Sequence, residues 1–505
     1  MSISSSADRA HDVLVIGGGI NGAGIACDAA GRGLRVLLCE SGDLAQATSS
    51  ASSKLIHGGL RYLEHYEFGL VRAALKEREV LLAKAPHIVE PLRFILPHVD
   101  GMRPKWMLRA GLFLYDHLYR RQAIPGSSAI DLRHETAGAP LQESLASGFS
   151  YWDCWVDDAR LVLLNALAAA ETGADIRTRT EVLEGHPDGA TWRVCLKGPD
   201  GRIEEIRAKA VVNAGGPWAD GVLRRFQRSD GGNRARVRLV KGSHLVVPRI
   251  PGADQAYILQ NPDGRVVFVL PFEGRFSLIG TTDTPFEGDP LAAHLDEGER
   301  DYLLNAVAGF FRAPPTAEDI VWSYAGVRPL FDSHEADPSK VTRDYRLDLS
   351  APAGSPPLLS VLGGKITTYR KLAERAVDKL APFFPGLPGA WTAGATLPGG
   401  DLEGGSRESQ TRALAARYPS LDPALLAALV RRHGRRAEDV LGDCAGPDDL
   451  GPDFGGGLFG REVDYMRTRE WALAPDDILW RRSKSGLHMT AAERARFGQT
   501  LTAVA

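Results

Sequence analysis

The sequence predicts an α/β fold with three parts: a Rossmann-like dinucleotide-binding domain, a second domain built on a mostly antiparallel sheet, and a C-terminal helical domain. Three observations predict it. Residues 12–40 carry an apolar strand, a glycine-rich turn, a small-residue helix and a second strand, in that order. Between Val237 and Asp283, apolar residues recur with a period of two, which is typical of antiparallel strands. Beyond residue 401 the pattern is helical.

The glycine-rich turn is the first specific motif. Val13–Ile16, an apolar run suited to a buried parallel strand, precedes Gly17-x-Gly19-x-x-Gly22. In a dinucleotide fingerprint these glycines allow a tight turn, close approach of a pyrophosphate and close packing of the helix. Glu40, after the second strand, is placed to accept hydrogen bonds from a ribose 2′-OH, and its charge disfavours NADP. A purely structural glycine turn is the alternative.

Length and composition set broad limits. A chain of 505 residues, with 44% hydrophobic and 24% charged residues, is typical of a globular protein of two to four domains. The formal net charge of −3 gives no sign of nucleic-acid binding. Five scattered cysteines without a CxxC pair argue against a disulfide framework or a metal site. We expect neither a signal peptide nor a membrane-spanning segment.

Two later junctions repeat the pattern of a strand followed by glycines. Ala210–Ala214 leads into Gly215, and Leu358–Leu362 leads into Gly363 and Gly364. The predicted helix Thr367–Leu380 would direct the positive end of its dipole toward an anionic group. The hydroxyl-rich stretch after Glu40 suits a loop that wraps a polar cofactor, although a solvated serine loop is the alternative.

Motifs along nearly the whole chain resemble those of the FAD-dependent aerobic glycerol-3-phosphate dehydrogenases. The resemblance is carried, in the family's order, by Gly17–Gly24, Thr48–Tyr66, Lys241–His244, Gly326–Leu330 and Gly363–Lys371, and Asp476–Arg482 resembles the family's helical cap domain. It implies a D-amino-acid-oxidase-type flavoprotein fold with FAD as cofactor. It also implies oxidation of sn-glycerol 3-phosphate to dihydroxyacetone phosphate, by hydride transfer from C2 to flavin N5, with electrons passed to a membrane quinone.

The predicted domain boundaries follow from the pattern and the resemblance together. Residues 1–390 form the oxidoreductase region, with FAD-binding segments at about 1–100, 150–235 and 355–390 and substrate-domain segments at about 236–354. Residues 391–401 are a Gly- and Pro-containing linker, and residues 402–505 form the helical domain.

The predicted site residues lie in these motifs. The cofactor ligands are expected to be Gly17, Gly19, Gly22, Glu40, Thr48, Ser49, Ser53, Lys54, Gly58, Gly215, Gly363, Gly364, Lys365, Thr367 and Thr368. A substrate phosphate needs several cations, for which Arg61, Arg328 and Lys365 are candidates, with surface ion pairs as the alternative. Tyr62 and Thr281 are expected to contact the substrate.

The predicted catalytic residues are His244 and Arg328. Histidine has an ordinary pKa near neutrality, which suits removal of the proton from the C2 hydroxyl. A structural hydrogen bond of a strand histidine is the alternative. Arg328 is expected to act electrostatically in either case.

The segment 103–121 is apolar and aromatic in its middle and basic at both ends, which suits a lipid interface. A helix packed against a neighbour is the alternative. The resemblance implies a cytoplasmic enzyme attached peripherally to the inner membrane, and a homodimer is one possible assembly. Two other functions stay open: an oxidase that passes electrons to O2, and a non-enzymatic flavin-binding adaptor.

Overall fold

The computed structural model describes residues 10–99, 103–226, 237–331 and 345–503. The described strands are β1 (His11–Ile16), β2 (Val36–Cys39), β3 (Leu55–Ile56), β4 (Val89–Pro97), β5 (Ser128–Asp131), β6 (Ser147–Val156), β7 (Asp175–Arg177), β8 (Glu181–Asp188), β9 (Thr191–Lys197), β10 (Ile203–Asn213), β11 (Val237–Pro248), β12 (Ala256–Gln260), β13 (Val266–Phe272), β14 (Phe276–Gly280), β15 (Thr284–Pro285), β16 (Trp322–Phe331), β17 (Arg346–Ser350) and β18 (Leu358–Leu362).

The described helices are α1 (Ile20–Gly31), α2 (Phe68–Lys84), α3 (Lys105–His117), α4 (Asp158–Glu171), α5 (Ala219–Phe226), α6 (Glu297–Ala308), α7 (Tyr369–Leu380), α8 (Arg407–Arg417), α9 (Pro423–His433), α10 (Ala437–Leu441), α11 (Gly460–Arg469) and α12 (Ala491–Ala503). A π-helix spans Asp477–Arg482. In the part of the chain that the structure describes, none of the helices combines the length and apolar character needed to cross a bilayer.

The first sheet carries the predicted dinucleotide-binding unit. Its strand order is β17-β18-β10-β1-β2-β7, and β8 and β9 extend it from β10. β1 is parallel to both β2 and β10, and β10 is parallel to β18, so their carboxyl ends lie at one edge. The central strands are fully buried because helices α1, α4 and α7 cover one face of the sheet, while β8, β9 and α5 cover the other. The predicted α/β fold is confirmed.

Strand β10 is longer than the run Ala210–Ala214 indicated. Ile203–Ile206 and Ala210–Asn213 belong to one continuous strand. Its first half pairs antiparallel with β9, whereas its second half pairs parallel with β1 and β18. The change of partner explains why the sequence alternates in the first half and is continuously apolar in the second.

The second sheet has the order β15-β11-β14-β13-β12-β4-β6-β3. In addition, β16 pairs with β11 and β5 pairs with β6. The antiparallel strands expected between 237 and 283 are present as β11–β14. The predicted boundaries need a correction, because β3, β4 and β6 belong to this sheet and not to the FAD-binding segments. The sheet gains them through the parallel pairing of β4 with β12, for which the local sequence has no signal.

The C-terminal helices pack around two small apolar cores of their own. The predicted linker 391–401 has no helix or strand, but it lies on the first domain. Nε1 of Trp391 donates to the carbonyl oxygen of Asp28 at 3.1 Å, and Nζ of Lys84 donates to that of Thr392 at 2.6 Å. A Cβ atom on Gly31 would lie 2.0 Å from the Trp391 ring. The connection is therefore packed and does not act as a spacer.

Candidate active site

A cleft of about 1570 Å³ runs between the carboxyl edge of the first sheet and the second sheet. The three strand-to-glycine junctions meet there and contribute Gly17, Gly19, Gly215, Gly363 and Gly364 to its wall. The second sheet contributes His244, Thr281 and Arg328. Residues that are far apart in sequence are brought together because the parallel strands all end at one edge of the sheet.

At the first junction, the positions of Gly17 and Gly22 have no space for a side chain. Gly17 has a φ of +110°, and a Cβ atom there would lie 2.5 Å from the carbonyl oxygen of Ala214. Gly22 does not line the cleft; a Cβ atom on it would lie 1.8 Å from the carbonyl oxygen of Gly17. Helix α1 therefore starts close to β1 and points its N-terminus at the cleft, where backbone N–H groups and the helix dipole favour a phosphate.

Glu40 lines the cleft at the tip of β2. Its Oε2 accepts a hydrogen bond from the backbone nitrogen of Gly18 at 2.7 Å, and its Oε1 accepts one from Gly42 at 2.8 Å. These bonds fix the carboxylate beside the glycine turn, at the position expected for an acceptor of ribose hydroxyls.

Residues 40–54, which we call the cofactor loop, join β2 to β3 along the cleft. Thr48, Ser49 and Ser53 line the cleft as predicted. Oγ1 of Thr48 donates to the carbonyl oxygen of Val327 at 2.6 Å, and Oγ of Ser49 accepts from the nitrogen of Ile20 at 3.0 Å. The loop is therefore attached to both domains.

The predicted contact of Lys54 with the cofactor is corrected by the structure. Its side chain is fully buried outside the cleft wall, and Nζ donates to Oδ1 of Asp158 at 2.8 Å and to the carbonyl oxygen of Ser50 at 3.0 Å. Gly58 and Thr368 also lie behind the wall, whereas Thr367 lines it. Lys54 thus anchors the cofactor loop because a buried ammonium group must keep its partner.

The predicted substrate residues form two groups on the wall. Nζ of Lys365 lies 3.7 Å from the centroid of the Tyr62 ring, a cation–π contact. Arg328 forms an ion pair with Asp283, and its Nη2 donates to Oγ1 of Thr281 at 3.0 Å. The prediction for Arg61 falls on a side chain that lies outside the described residues.

His244 lies in β11 and is buried against the ring of Tyr324, with 4.8 Å between ring centroids. Its Nε2 shares a hydrogen bond of 2.9 Å with Oγ of Ser53. Burial, and then the charges of Arg328 and Lys54, hold the pKa of His244 well below its usual value of 6.5. The expected near-neutral pKa is therefore wrong, but the imidazole is neutral at pH 7 and able to accept a proton.

Some residues on the wall were missed by sequence reasoning. Asp283 pairs with Arg328, and its place after Gly280-Thr281-Thr282 at the end of β14 was the available signal. Asn21 lies inside the glycine motif, and its Nδ2 donates to the carbonyl oxygen of Gly363 at 3.2 Å. Gln260, at the end of β12, also lines the cleft and has no distinguishing local pattern.

Comparison with known proteins agrees with this geometry. The family model described as FAD dependent oxidoreductase matches residues 12–370. A glycerol-3-phosphate dehydrogenase from Pseudomonas aeruginosa is 54% identical, over 97% of this chain and 95% of its own length. This chain belongs to the FAD-dependent glycerol-3-phosphate dehydrogenase family.

Other relatives of the family are also similar along nearly the whole chain. A D-erythritol 1-phosphate dehydrogenase from Brucella abortus is 50% identical over 96% of both chains. The structure of a glycerol-3-phosphate dehydrogenase from Bacillus halodurans, complexed with FAD, has a TM-score of 0.74 and 29% identity, and covers 98% of this chain and 94% of that one. These comparisons confirm the flavoprotein fold and FAD as the cofactor.

The cleft fits the family's cofactor. Side chains at Gly17 and Gly22 would meet backbone oxygens, so the glycines let α1 start close to β1 and direct its N-terminus at the cleft, where a pyrophosphate is favoured. Glu40 is placed for the ribose, and the second and third junctions, at Gly215 and Gly363, continue the wall. The enzyme is an FAD-dependent oxidoreductase, and the two residues predicted to be catalytic, His244 and Arg328, lie on the opposite sheet.

Proposed function

We propose that this enzyme oxidises sn-glycerol 3-phosphate to dihydroxyacetone phosphate. The observation that carries the proposal is the meeting of His244, Arg328 and Lys365 in the same cleft as the three glycine junctions. A proton acceptor and two cations next to a flavin site are what a phosphorylated secondary alcohol requires. The activity for which the Pseudomonas aeruginosa relative is named supports this substrate.

The phosphate is proposed to bind Arg328 and Lys365. Both side chains are held in place by neighbours in the cleft: Asp283 and Thr281 fix the guanidinium, and the Tyr62 ring supports the ammonium group. Because these cations are positioned before substrate arrives, less conformational entropy is lost on binding. Tyr62 and Thr281 stand beside them as further substrate contacts.

His244 is proposed to take the proton of the C2 hydroxyl. Its low pKa keeps the ring neutral, and the hydrogen bond to Ser53 orients it toward the cofactor loop. The positive charge of Arg328 favours the developing alkoxide. When bound, FAD supplies the redox chemistry by accepting the C2 hydride at N5.

The electron acceptor is proposed to be a membrane quinone, reached by peripheral attachment at the cytoplasmic face of the inner membrane. Helix α3 supports this proposal. Trp106 is 70% exposed and Phe113 58% exposed, while Leu112 is buried under the helix. Met107 and Leu114 are exposed on α3 and also line the cleft, so an apolar surface lies beside its mouth. The packed alternative thus describes the face that carries Leu112, and the exposed face is the one proposed to contact lipid.

Anaerobic bleaching of the flavin absorbance tests the substrate. Glycerol 3-phosphate should bleach the purified protein at low concentration, whereas glycerol should not, because glycerol has no phosphate group to interact with Arg328 and Lys365. The panel includes D-erythritol 1-phosphate, for which the Brucella abortus relative is named, and bleaching by it alone would replace the proposed substrate. No bleaching by any polyol phosphate would favour a flavin-binding adaptor.

The acceptor is tested in the same preparation. Turnover with a soluble quinone analogue should be much faster than turnover with O2. Hydrogen peroxide produced at an equal rate without added quinone would identify an oxidase.

A further inference from the structure

The C-terminal helical domain does not line the cleft, yet it forms ion pairs with the cofactor loop, which does. In the described part of the chain, no residue after Thr367 contributes to the cleft wall. Asp43, in the cofactor loop, is 1% exposed. Its Oδ1 accepts from Nη2 of Arg482 at 2.8 Å, and its Oδ2 accepts from Nη1 of Arg482 at 2.5 Å and from Nε of Arg481 at 2.6 Å. Two cations of the π-helix thus meet one carboxylate of the cofactor loop.

The other end of the cofactor loop is held through helix α4. Asp158 accepts from Lys54 at 2.8 Å and from Oγ of Ser52 at 2.8 Å. The preceding residue, Asp157, accepts from Nζ of Lys484 at 2.9 Å. The short segment 481–484 therefore supplies cations near both ends of the loop.

The π-helix itself is anchored in the first domain. Nη2 of Arg482 also donates to the carbonyl oxygen of Glu470 at 2.6 Å, and the Glu470 carboxylate accepts from Arg160 of α4 at 2.8 Å. Asp477 accepts from Arg179 at 2.5 Å. Arg482 is 1% exposed, so its guanidinium has a fixed direction.

We propose that Arg482 is a positioning residue for FAD: through Asp43 it fixes the cofactor loop, so that the C-terminal domain sets how tightly the flavin is held. Without Arg482, buried Asp43 keeps only its contact with Nε of Arg481, and because an incompletely paired buried carboxylate is costly, we expect Asp43 to move toward solvent. Asp43 lies within three residues of Glu40, and a shift there moves the carboxylate that fixes Gly18. Retention of FAD through Arg482 and Asp43 does not depend on which substrate the enzyme oxidises.

The structure offers a matched control. Arg431, in α9 of the same C-terminal domain, forms a two-pronged ion pair with buried Glu273 in the turn between β13 and β14. That pair also ties the domain to the body of the enzyme, but it is not part of the cofactor loop. Arg482→Met removes a pair in which both side chains are buried, and Arg431→Met removes a pair in which the carboxylate is buried and the arginine is 31% exposed.

The experiment follows flavin release from purified holoenzyme. The rate at which flavin fluorescence appears after dilution is measured below the unfolding temperature of each variant, together with the thermal midpoint by circular dichroism. We expect Arg482→Met to accelerate release at least tenfold and Arg431→Met to stay within twofold of wild type, although both lower the midpoint. Equal acceleration in both variants, or none in Arg482→Met, overturns the proposal.

A second pair of variants tests the proposal if Arg482→Met does not fold. Arg482→Lys keeps the charge but cannot bind both carboxylate oxygens. It should release flavin about three- to tenfold faster than wild type, and Arg431→Lys should not. Release at the wild-type rate from Arg482→Lys, with normal folding, would likewise overturn the assignment. Neither result depends on whether glycerol 3-phosphate is oxidised.

Discussion

Nε2 of His244 and Oγ of Ser53 lie 2.9 Å apart, and this hydrogen bond joins the second sheet to the cofactor loop. The residue proposed to take the substrate proton is thus oriented by the loop that surrounds the flavin. We therefore expect loss of this contact to disturb the orientation of His244.

Replacing His244 with Asn should act mainly on kcat. A positioned general base contributes about 10²- to 10⁴-fold to rate, so kcat for glycerol 3-phosphate should fall by about 100-fold or more. Ser53→Ala keeps the ring and loses only its orienting partner, so a smaller loss of kcat is expected. Steady-state kinetics decide, and an effect confined to KM would assign His244 to binding.

The same residue predicts a pH profile. The base is neutral above its pKa, and the pKa of His244 is held well below 6.5. The kcat of the wild type should therefore stay level from pH 6.5 upward and decline only in more acidic solution. An acid limb centred at or above pH 6.5 that disappears in His244→Asn would contradict the burial argument.

Arg328→Ala should raise KM for glycerol 3-phosphate strongly while FAD stays bound. A hydrogen bond to a charged group contributes about 1.5–3 kcal/mol, which corresponds to about 10- to 100-fold in affinity. The flavin spectrum of the purified variant checks retention of the cofactor. Arg249→Ala is the control, because Arg249 pairs with exposed Asp254 away from the cleft and its loss should leave KM unchanged. Unchanged kinetics in Arg328→Ala would remove that residue from the site.

Asp28, buried in α1, predicts a pH-dependent stability. Burial raises the pKa of its carboxyl to about 6, above the unfolded value of 3.8, so its favourable contribution is complete below pH 3.8 and is lost as pH rises through 6. Asp28→Asn should therefore be more stable than wild type at pH 8, by at most about 3 kcal/mol, and the gain should vanish by pH 4. Denaturant unfolding at both pH values measures it; a gain that is independent of pH would contradict the titration.

The proposed membrane attachment through α3 predicts that the protein binds lipid vesicles. Wild-type protein should co-sediment with anionic vesicles, and salt should weaken binding because each basic residue near the surface contributes only about 1 kcal/mol. Trp106→Glu/Phe113→Glu should lose binding yet keep flavin reduction by substrate. The control is Val321→Glu/Leu473→Glu, two exposed apolar residues that lie outside α3 and outside the cleft wall. If the α3 variant binds as well as wild type, the membrane surface lies elsewhere.

The dinucleotide unit could be read from the sequence because each of its parts has a local signal. Gly17, Gly22 and the strand before them follow from steric and helix-end requirements. The second sheet was only partly predictable, since β4 joins β12 across a long stretch of chain. The position of the Lys54 side chain was not predictable for a related reason. A lysine beside serines resembles an anion ligand, and only the fold shows that its ammonium group pairs with Asp158.

Trp391 fills a space that Gly31 leaves open. The connecting segment and helix α1 are therefore complementary in shape, and the C-terminal region is not an interchangeable module. A chimera that joins this oxidoreductase region to the helical region of a distant relative must carry the glycine and the tryptophan together. Exchange at residue 390 alone would place a foreign side chain against α1, at the helix whose N-terminus faces the flavin phosphates.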